Sequence, residues 1–342
     1  MSDSYPQILI ASTDPDLPPE VPYGYDKYTE FREMARGIKA ILYSCWDRVV
    51  GRTVAMKTLL PEYANNVRER RRFLREARVT AQLQHPNTVP VYEIGRDDKA
   101  GLYFTMKRIA GENYFRVLQR LANQDSLTLK AYSLDTRLDV VIQACQALGF
   151  AHLHGVIHRD VKPENIWVGE FGEVILLDWG VSKVWGLPDA DHDIKREDDS
   201  SDSAEWQVNS LATTGEQQLD KLTQSGQRPG TPLYMSPEQV NGRQHIDERT
   251  DIFSMGVLIY EMLVFKEPFR GRNVKETFAR IVHAQPVPPS EVQPEAGIPP
   301  SLDELVMTAI SKKPGDRFST MLELIEAIRK AKFDLQRIPS GG

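Results

Sequence analysis

His158-Arg-Asp-Val-Lys-Pro-Glu-Asn165 is the stretch that decides how the rest of this 342-residue chain is interpreted. It brings a carboxylate (Asp160), a cation (Lys162) and a carboxamide (Asn165) close together in sequence. Because apolar residues precede and follow it, we predict a loop between two short strands. A loop that concentrates a general-base candidate, a cation and a hard metal ligand is typical of a site that handles charge in a reaction.

The composition is that of an ordinary globular protein, with 41% hydrophobic and 26% charged residues. The net charge of -6 provides no general attraction to nucleic acid or to anionic membranes. No apolar run is long enough to span a bilayer, and Ile8–Ile10 is too short for the core of a signal peptide. We therefore expect a cytoplasmic protein with no nucleic-acid partner and no membrane span.

The chain contains two cysteines, Cys45 and Cys145. A single disulfide between them is one possibility, but both lie in apolar patterns that are typical of a core. We therefore expect two reduced thiols, which also agrees with a cytosolic location. The sequence has no Cys/His spacing of the metal-binding type.

The predicted elements change from strands to helices along the chain. Strands with β-branched and apolar residues are predicted around one helix at 66–83, which ends at His85-Pro86 because proline cannot continue a helix. From Tyr114 onward the pattern is helical, with a long apolar helix at 138–154 and a second at 251–263. We predict an α+β fold with two lobes, a small antiparallel β-sheet with one helix and a larger, mainly helical part. The predicted strands are 41–46, 52–60, 89–95, 102–108 and 173–178.

Polar and proline-rich stretches mark the predicted boundaries. Five prolines among polar residues favour an extended or disordered leader, although its tyrosines could instead dock it on the small lobe. The sequence carries no signal for the oligomeric state. The predicted division is a leader at 1–27, a small lobe at 28–108, a large lobe at 109–336 with a polar insert at about 186–228, and a tail at 337–342.

The motif His-Arg-Asp-x-Lys-Pro-x-Asn resembles the catalytic loop of the eukaryotic-type Ser/Thr protein kinases. Val54-Ala-Met-Lys57, Asp178-Trp-Gly180 and Gly230-Thr-Pro-Leu-Tyr-Met-Ser-Pro-Glu238 resemble further motifs of that family, in the family's order and in a bacterial style. The resemblance covers about residues 28–332. It implies a bilobal kinase fold that uses ATP and Mg²⁺ to phosphorylate Ser and Thr hydroxyls of protein substrates, including its own.

The resemblance also implies roles for individual residues. Asp160 would accept or orient the proton of the substrate hydroxyl, and Lys162 would neutralise charge on the transferring phosphoryl group. Lys57 would pair with the α- and β-phosphates and with Glu76. Two residues would bind Mg²⁺, Asn165 and Asp178. The adenine would contact Ala55, Met106 and Arg108. The roof over the nucleotide would contain Ala35, Gly37, Ala40 and Leu42.

Other matching positions have supporting roles in the family. His158 is structural by this resemblance, and Arg159 would receive a phosphate from the activation segment. Trp179 replaces the usual phenylalanine, and we expect it to keep the packing role. The implied structural supports are Thr231, Asp251 and a Glu238–Arg317 ion pair.

The roof departs from the family pattern because Ala35 and Ala40 occupy two of the three glycine positions. Each alanine adds a Cβ where the backbone has to approach phosphate groups closely. Lys39, near the tip of the roof, could supply a compensating charge. We expect weakened nucleotide binding. An active kinase is favoured, with a pseudokinase scaffold and an interaction module without nucleotide as alternatives.

The segment 178–238 is long for a loop. Its first part is acidic and its second part is rich in Ser, Thr, Gln and Gly, which favours a solvated insert. The alternative is regulatory, with the acidic residues pairing with the basic helix at 68–78 or with Arg159. Phosphorylation would then place a strong anion near Arg159. The candidate phosphorylation sites are Thr223 and Ser225, followed by Thr213 and Thr214.

Overall fold

The computed structural model describes residues 22–180, 182–184, 232–243 and 246–337. The polar insert, its candidate phosphorylation sites and Thr231 lie outside the described residues, as do residues 1–21 of the leader and 338–342 of the tail. The described chain forms an antiparallel sheet with one helix, followed by a mainly helical part. The predicted α+β fold is confirmed.

The small lobe is an antiparallel five-stranded sheet in the order β1-β2-β3-β5-β4, with helix α1 following β3. Its strands have apolar side chains on both faces. Val54 and Met56 pack on one face with Tyr28 and Tyr103, whereas Leu59 packs on the other face with Phe73 of α1 and with Phe104. The elements are β1 (Tyr28–Arg36), β2 (Ala40–Asp47), β3 (Arg52–Leu59), α1 (Val67–Gln82), β4 (Val91–Asp97) and β5 (Gly101–Lys107).

The large lobe is built around two helices, α4 and α6, whose residues are mostly buried. The C-terminal helix α10 packs against α4, and α9 packs against α6. The helices are α2 (Tyr114–Ala122), α3 (Ser126–Ala131), α4 (Leu134–Leu153), α5 (Pro237–Val240), α6 (Arg249–Val264), α7 (Val274–His283), α8 (Pro289–Val292), α9 (Pro300–Ala309) and α10 (Met321–Arg337).

Two small sheets carry the loop that contains Asp160, Lys162 and Asn165. The strand before the loop pairs with β10, and the strand after it lies between β6 and β9. Both predicted short strands are therefore present, and each is fixed by a partner from another part of the chain. The strands are β6 (Glu112–Asn113), β7 (Val156–Ile157), β8 (Ile166–Val168), β9 (Val174–Leu176) and β10 (Lys183–Val184).

Three predicted elements differ from the structure for local reasons. β4 begins at Val91, not at residue 89, because Pro90 has no N–H to donate to a strand partner. β9 ends at Leu176, and two residues later Asp178 has a φ of +63°, which no strand allows. Within the predicted leader, Gly24–Lys27 forms a short 3₁₀ helix, and the ring of Tyr25 stacks on Phe31.

Cys45 and Cys145 are both buried free thiols, as predicted. Burial is the main cause of the raised pKa of the Cys45 thiol, which lies at about 12. Among the helices in the described residues, none combines the length and the apolar character needed to cross a membrane.

Candidate active site

The loop between β7 and β8 brings the three predicted groups together. The ammonium of Lys162 donates to Oδ2 of Asp160 at 2.5 Å. The Nδ2 of Asn165 donates to the same Oδ2 at 3.1 Å and to the backbone oxygen of Asp160 at 2.8 Å. Two donors therefore converge on one carboxylate oxygen, and the rotation of the Asp160 side chain is restricted.

Asp251, in the first turn of α6, is hydrogen-bonded to the backbone of the same loop. Its carboxylate accepts the backbone N–H of His158 and of Arg159, both at 2.8 Å, which agrees with the supporting role that the resemblance implies. It also bonds Nε2 of His152 at 2.8 Å. Arg159 has a φ of +69°, an unfavourable conformation for a residue with a Cβ. The hydrogen bonds to Asp251 offset the cost of this backbone conformation.

Asp178 lies beside this loop because the chain after β9 is tied to it. The N–H of Leu177 donates to the backbone oxygen of Asn165 at 2.8 Å, and Nε2 of His158 bonds the oxygen of Leu177 at 3.0 Å. Trp179 is fully buried, and its ring lies 4.5 Å from that of His158. The indole therefore fills the interior while Asp178, one residue earlier, faces the cleft.

Lys57 on β3 forms an ion pair with Glu76 on α1, with 2.5 Å between Nζ and Oε1. The register of the sheet pairs Lys57 with Leu42 and with Phe104, so all three side chains lie on the face that carries α1. The pair therefore fixes α1 to the sheet.

The surroundings of Gly180 show why the Asp-Trp-Gly motif ends in glycine. A Cβ at this position would lie 3.1 Å from Oδ1 of Asp178 and 3.3 Å from Oε2 of Glu76. The backbone of Gly180 thus passes closely between two carboxylates. The same contact shows that Glu76 and Asp178 border one space.

The charges in this space shift one another's pKa values. Burial acts to raise the pKa of Asp178, but the ammonium groups of Lys57 and Lys162 outweigh it and hold the pKa below its ordinary value. Burial acts to lower the pKa of Lys57, and the carboxylates of Glu76 and Asp178 reverse this effect and raise it. At neutral pH the site therefore contains ionised Asp178 between two cations.

Asn165 and Asp178 fit a divalent cation by their chemistry. Both Nδ2 hydrogen bonds of Asn165 point to Asp160, which leaves its Oδ1 as an acceptor, and Asp178 is ionised. The described residues contain no cluster of three or more His, Cys, Asp or Glu side chains that could hold a metal. A pair of oxygen ligands suits Mg²⁺, which keeps several waters and is completed by substrate phosphates.

The predicted roof is the hairpin between β1 and β2. Ala35 lies in β1, opposite Leu42, and Ala40 begins β2. The N–H of Gly37 donates to the oxygen of Ala40 at 2.9 Å, which closes the turn. Lys39, the candidate for a compensating charge, pairs with Glu69 on α1, with 2.8 Å between Nζ and Oε1.

The predicted adenine wall lies at the end of β5. Ala55 and Met106 are direct partners in the sheet, so their side chains share the face that carries Lys57. Met106 packs against the small cluster that contains Phe104 and Phe73 of α1. Arg108 follows β5 and is partly buried.

Glu238 and Arg317 form a buried ion pair far from the catalytic loop in sequence. Two nitrogens of Arg317 donate to the two oxygens of Glu238, at 2.7 and 2.8 Å. Thr250 Oγ1 also donates to Glu238, at 2.7 Å. The pair anchors α5, which lies at the end of the long segment 178–238.

Three residues at the site were missed by the sequence analysis. His152 shares the carboxylate of Asp251 with the loop, and Nε2 of Gln239 donates to the oxygen of Arg159 at 2.9 Å. Asn87 donates to the oxygen of Val174 on β9 at 2.7 Å. Gln239 could have been found, because Ser236-Pro-Glu-Gln239 is a capping box.

The sheet, the helical part and the constellation between them define the protein kinase fold, and the chain belongs to the protein kinase family. The family's sequence model, described as the protein kinase domain, matches residues 28–198 and 211–332. The match covers most of the chain and confirms the resemblance given above.

Several curated relatives found by sequence comparison are Chlamydia serine/threonine-protein kinases. The chain is similar to the serine/threonine-protein kinase PknD of Chlamydia trachomatis serovar L2b, with 33% identity over 306 residues. It is similar to those of Chlamydia pneumoniae, with 33% identity over 309 residues, and of Chlamydia muridarum, with 31% identity over 306 residues. In each case the match covers 89% of this chain and 31% of the relative. The chain therefore spans about a third of the length of these relatives.

Proposed function

We propose that the chain is a Ser/Thr protein kinase, which transfers the γ-phosphoryl group of ATP to Ser or Thr hydroxyls of proteins, including its own. The observation that carries this proposal is the joint position of Asp160, Lys162 and Asn165 beside Asp178 and the Lys57–Glu76 pair. Phosphoryl transfer requires mainly positioning and charge neutralisation, and these residues supply both. We propose a small lobe at 28–108 and a large lobe at 109–336.

In this proposal Asp160 receives the hydroxyl of the substrate through its Oδ1, because Lys162 and Asn165 both donate to Oδ2. Lys162 also lies near enough to Asp178 to affect its pKa, so the same ammonium can neutralise charge between the two carboxylates. Bound Mg²⁺ would supply Lewis-acid stabilisation of the phosphate oxygens. Asn165 and Asp178 would hold it, and Lys57, positioned by Glu76, would bind the phosphates.

A phosphorylation assay with the purified chain tests the proposal. The chain is incubated with radiolabelled ATP and Mg²⁺, and the labelled amino acids are identified after acid hydrolysis. We expect phosphoserine and phosphothreonine without phosphotyrosine, and a loss of on the order of 10² to 10⁴-fold in rate for Asp160→Ala. Glu170→Gln, which changes an exposed carboxylate in the β8–β9 turn, is the matched control and should keep the full rate. Equal labelling by the Asp160→Ala protein would contradict the proposal.

A pseudokinase scaffold is the second candidate, and the roof is the observation that favours it. Two alanines stand at the glycine positions, and the N–H of Gly37 is used within the hairpin instead of being offered to a phosphate. Calorimetric titration with Mg-ATP, combined with the labelling assay, separates the two functions. A kinase binds Mg-ATP and transfers label, whereas a nucleotide-binding scaffold binds without transfer. In both cases Lys57→Met should weaken binding.

A further inference from the structure

Two glutamates of α1 lie on the same side of the helix. Glu69 and Glu76 are seven positions apart, which is within about 20° of two full turns, so their side chains leave α1 in nearly the same direction. Glu76 reaches Lys57 on β3, at 2.5 Å, and Glu69 reaches Lys39 at the tip of the β1–β2 hairpin, at 2.8 Å. One helix face is thus held by two lysines from different parts of the sheet.

Lys39 is itself held in place by the sheet. Its backbone oxygen accepts the N–H of Leu60 at 2.9 Å, and the next residue, Ala40, begins β2 opposite Leu59 of β3. The end of β3 and the hairpin tip are therefore joined by the backbone of Lys39, while its side chain extends to α1. Glu69 is well placed to receive it, because only 11% of its side chain is exposed.

The other ion pair of the hairpin does not reach α1. Arg36 pairs with Glu33 on the same strand, and both side chains are about half exposed. The turn is closed internally by Gly37 and Ala40. The Lys39–Glu69 pair is therefore an ionic link between the tip of the roof and α1.

We infer that Lys39 and Glu69 are positioning residues that set the roof and α1 relative to each other, so that Glu76 meets Lys57 when the roof is closed. This inference rests on the proposed function for its catalytic consequence, although the link itself does not depend on it. A nucleotide under the roof then stabilises α1, and α1 in turn stabilises the roof.

Hydrogen exchange of the amides in Val67–Gln82, measured without nucleotide, tests the link independently of any enzymatic activity. We compare the wild type with Lys39→Met, Glu69→Gln and the double variant. Each single variant should lose about twofold to fivefold in protection. The double variant should lose less protection than the two single variants lose together, because either substitution alone already removes the ion pair. Arg36→Gln, which breaks the neighbouring ion pair of the hairpin, should leave α1 unchanged.

Mg-ATP affinity gives the second readout. Lys39→Met should raise the dissociation constant and the KM for ATP by a similar factor, with a smaller effect on kcat, because fewer molecules hold the competent arrangement. Lys39→Arg should restore both values, since it keeps the charge. Unchanged protection of α1 in Lys39→Met, or an equal loss in Arg36→Gln, would overturn the inference even if phosphorylation is observed. Altered protection in a protein that transfers no phosphate would leave the link standing and refute only the proposed function.

Discussion

Lys312 is a lysine whose ammonium faces an aromatic ring and backbone oxygens in the large lobe. Its Nζ lies 3.7 Å from the centre of the Phe269 ring and donates to the oxygen of Ile281 at 2.8 Å, near the C-terminal end of α7. Burial, with a contribution from the charge of Arg317, lowers its pKa to about 8. The folded protein therefore binds this proton less tightly than the unfolded chain does.

The lowered pKa predicts the sign of a pH effect on stability. Between about pH 8 and pH 10 the unfolded chain keeps the proton of Lys312 while the folded protein releases it, so this residue makes stability increase as the pH rises. Lys312→Met should remove that contribution. The stability of the variant relative to the wild type should thus fall over this interval, as measured by urea unfolding at several pH values. Lys313→Met, at the exposed neighbour, is the control, and an identical curve for the two variants would contradict the assignment.

At the scale of single residues, the groups proposed for catalysis were predictable because the chemistry fixes both their type and their spacing. Asp160, Lys162 and Asn165 lie in one short loop, and the structure brings their polar atoms together. The direction of the Lys39 side chain was left open by the sequence, since a charge at a hairpin tip has several possible directions. Only the position of Glu69, 30 residues later, decides among them.

At the scale of elements, α5 depends on one buried ion pair. The side chain of Arg317 is fully buried and that of Glu238 is 4% exposed. Burial acts to raise the pKa of Glu238, but the guanidinium of Arg317 outweighs it and holds the pKa below its ordinary value. The stabilisation is therefore present above the pKa that Glu238 has in the unfolded chain. It is lost as the pH falls through the lower pKa of the folded state.

Removing one partner of this pair should be costly. Arg317→Met leaves a buried carboxylate without its cation and should destabilise the protein by about 3 to 5 kcal/mol at neutral pH, measured by urea unfolding. Acidification should narrow the difference from the wild type, because protonated Glu238 no longer needs a cation. The double variant Glu238→Gln, Arg317→Met should recover part of the loss. No recovery would show that the other hydrogen bonds of Arg317, to backbone oxygens, account for the effect.

Element existence was more predictable than element ends. Strands β2 to β5 and the one helix of the small lobe appear in the predicted order, because alternation of side chains and helical periodicity are local properties. Strand β1 was not predicted. The 3₁₀ turn at Gly24–Lys27 was predicted as extended chain. Its stability comes from aromatic contacts of Tyr25 with Phe31 and with Tyr103, a residue far along the sequence. These contacts agree with the alternative in which the tyrosines of the leader dock it on the small lobe.

At the scale of the whole molecule, Asn87 connects the two lobes. It lies in the loop between α1 and β4, and its Nδ2 donates to the oxygen of Val174 and to Oε1 of Gln143, at 2.7 and 3.2 Å. Its own backbone oxygen accepts the N–H of Leu176 at 2.8 Å. The end of α1 is thus fixed to β9, the strand that leads to Asp178. The sequence pattern marked this position only as the end of a helix.

Asn87→Ala should loosen the small lobe from the large one without disturbing the core of either. The variant leaves the buried oxygen of Val174 without its donor, which costs about 1 to 3 kcal/mol. Because the other bonds of β9 remain, the loss should be concentrated where the loop holds α1. Hydrogen exchange should show reduced protection in α1 and β4 and unchanged protection in α6, whose residues are almost all buried. Gln84→Ala, at an exposed position of the same loop, should change neither. A uniform loss of protection in both lobes would mean that Asn87 stabilises the fold as one unit and does not act as a joint between its parts.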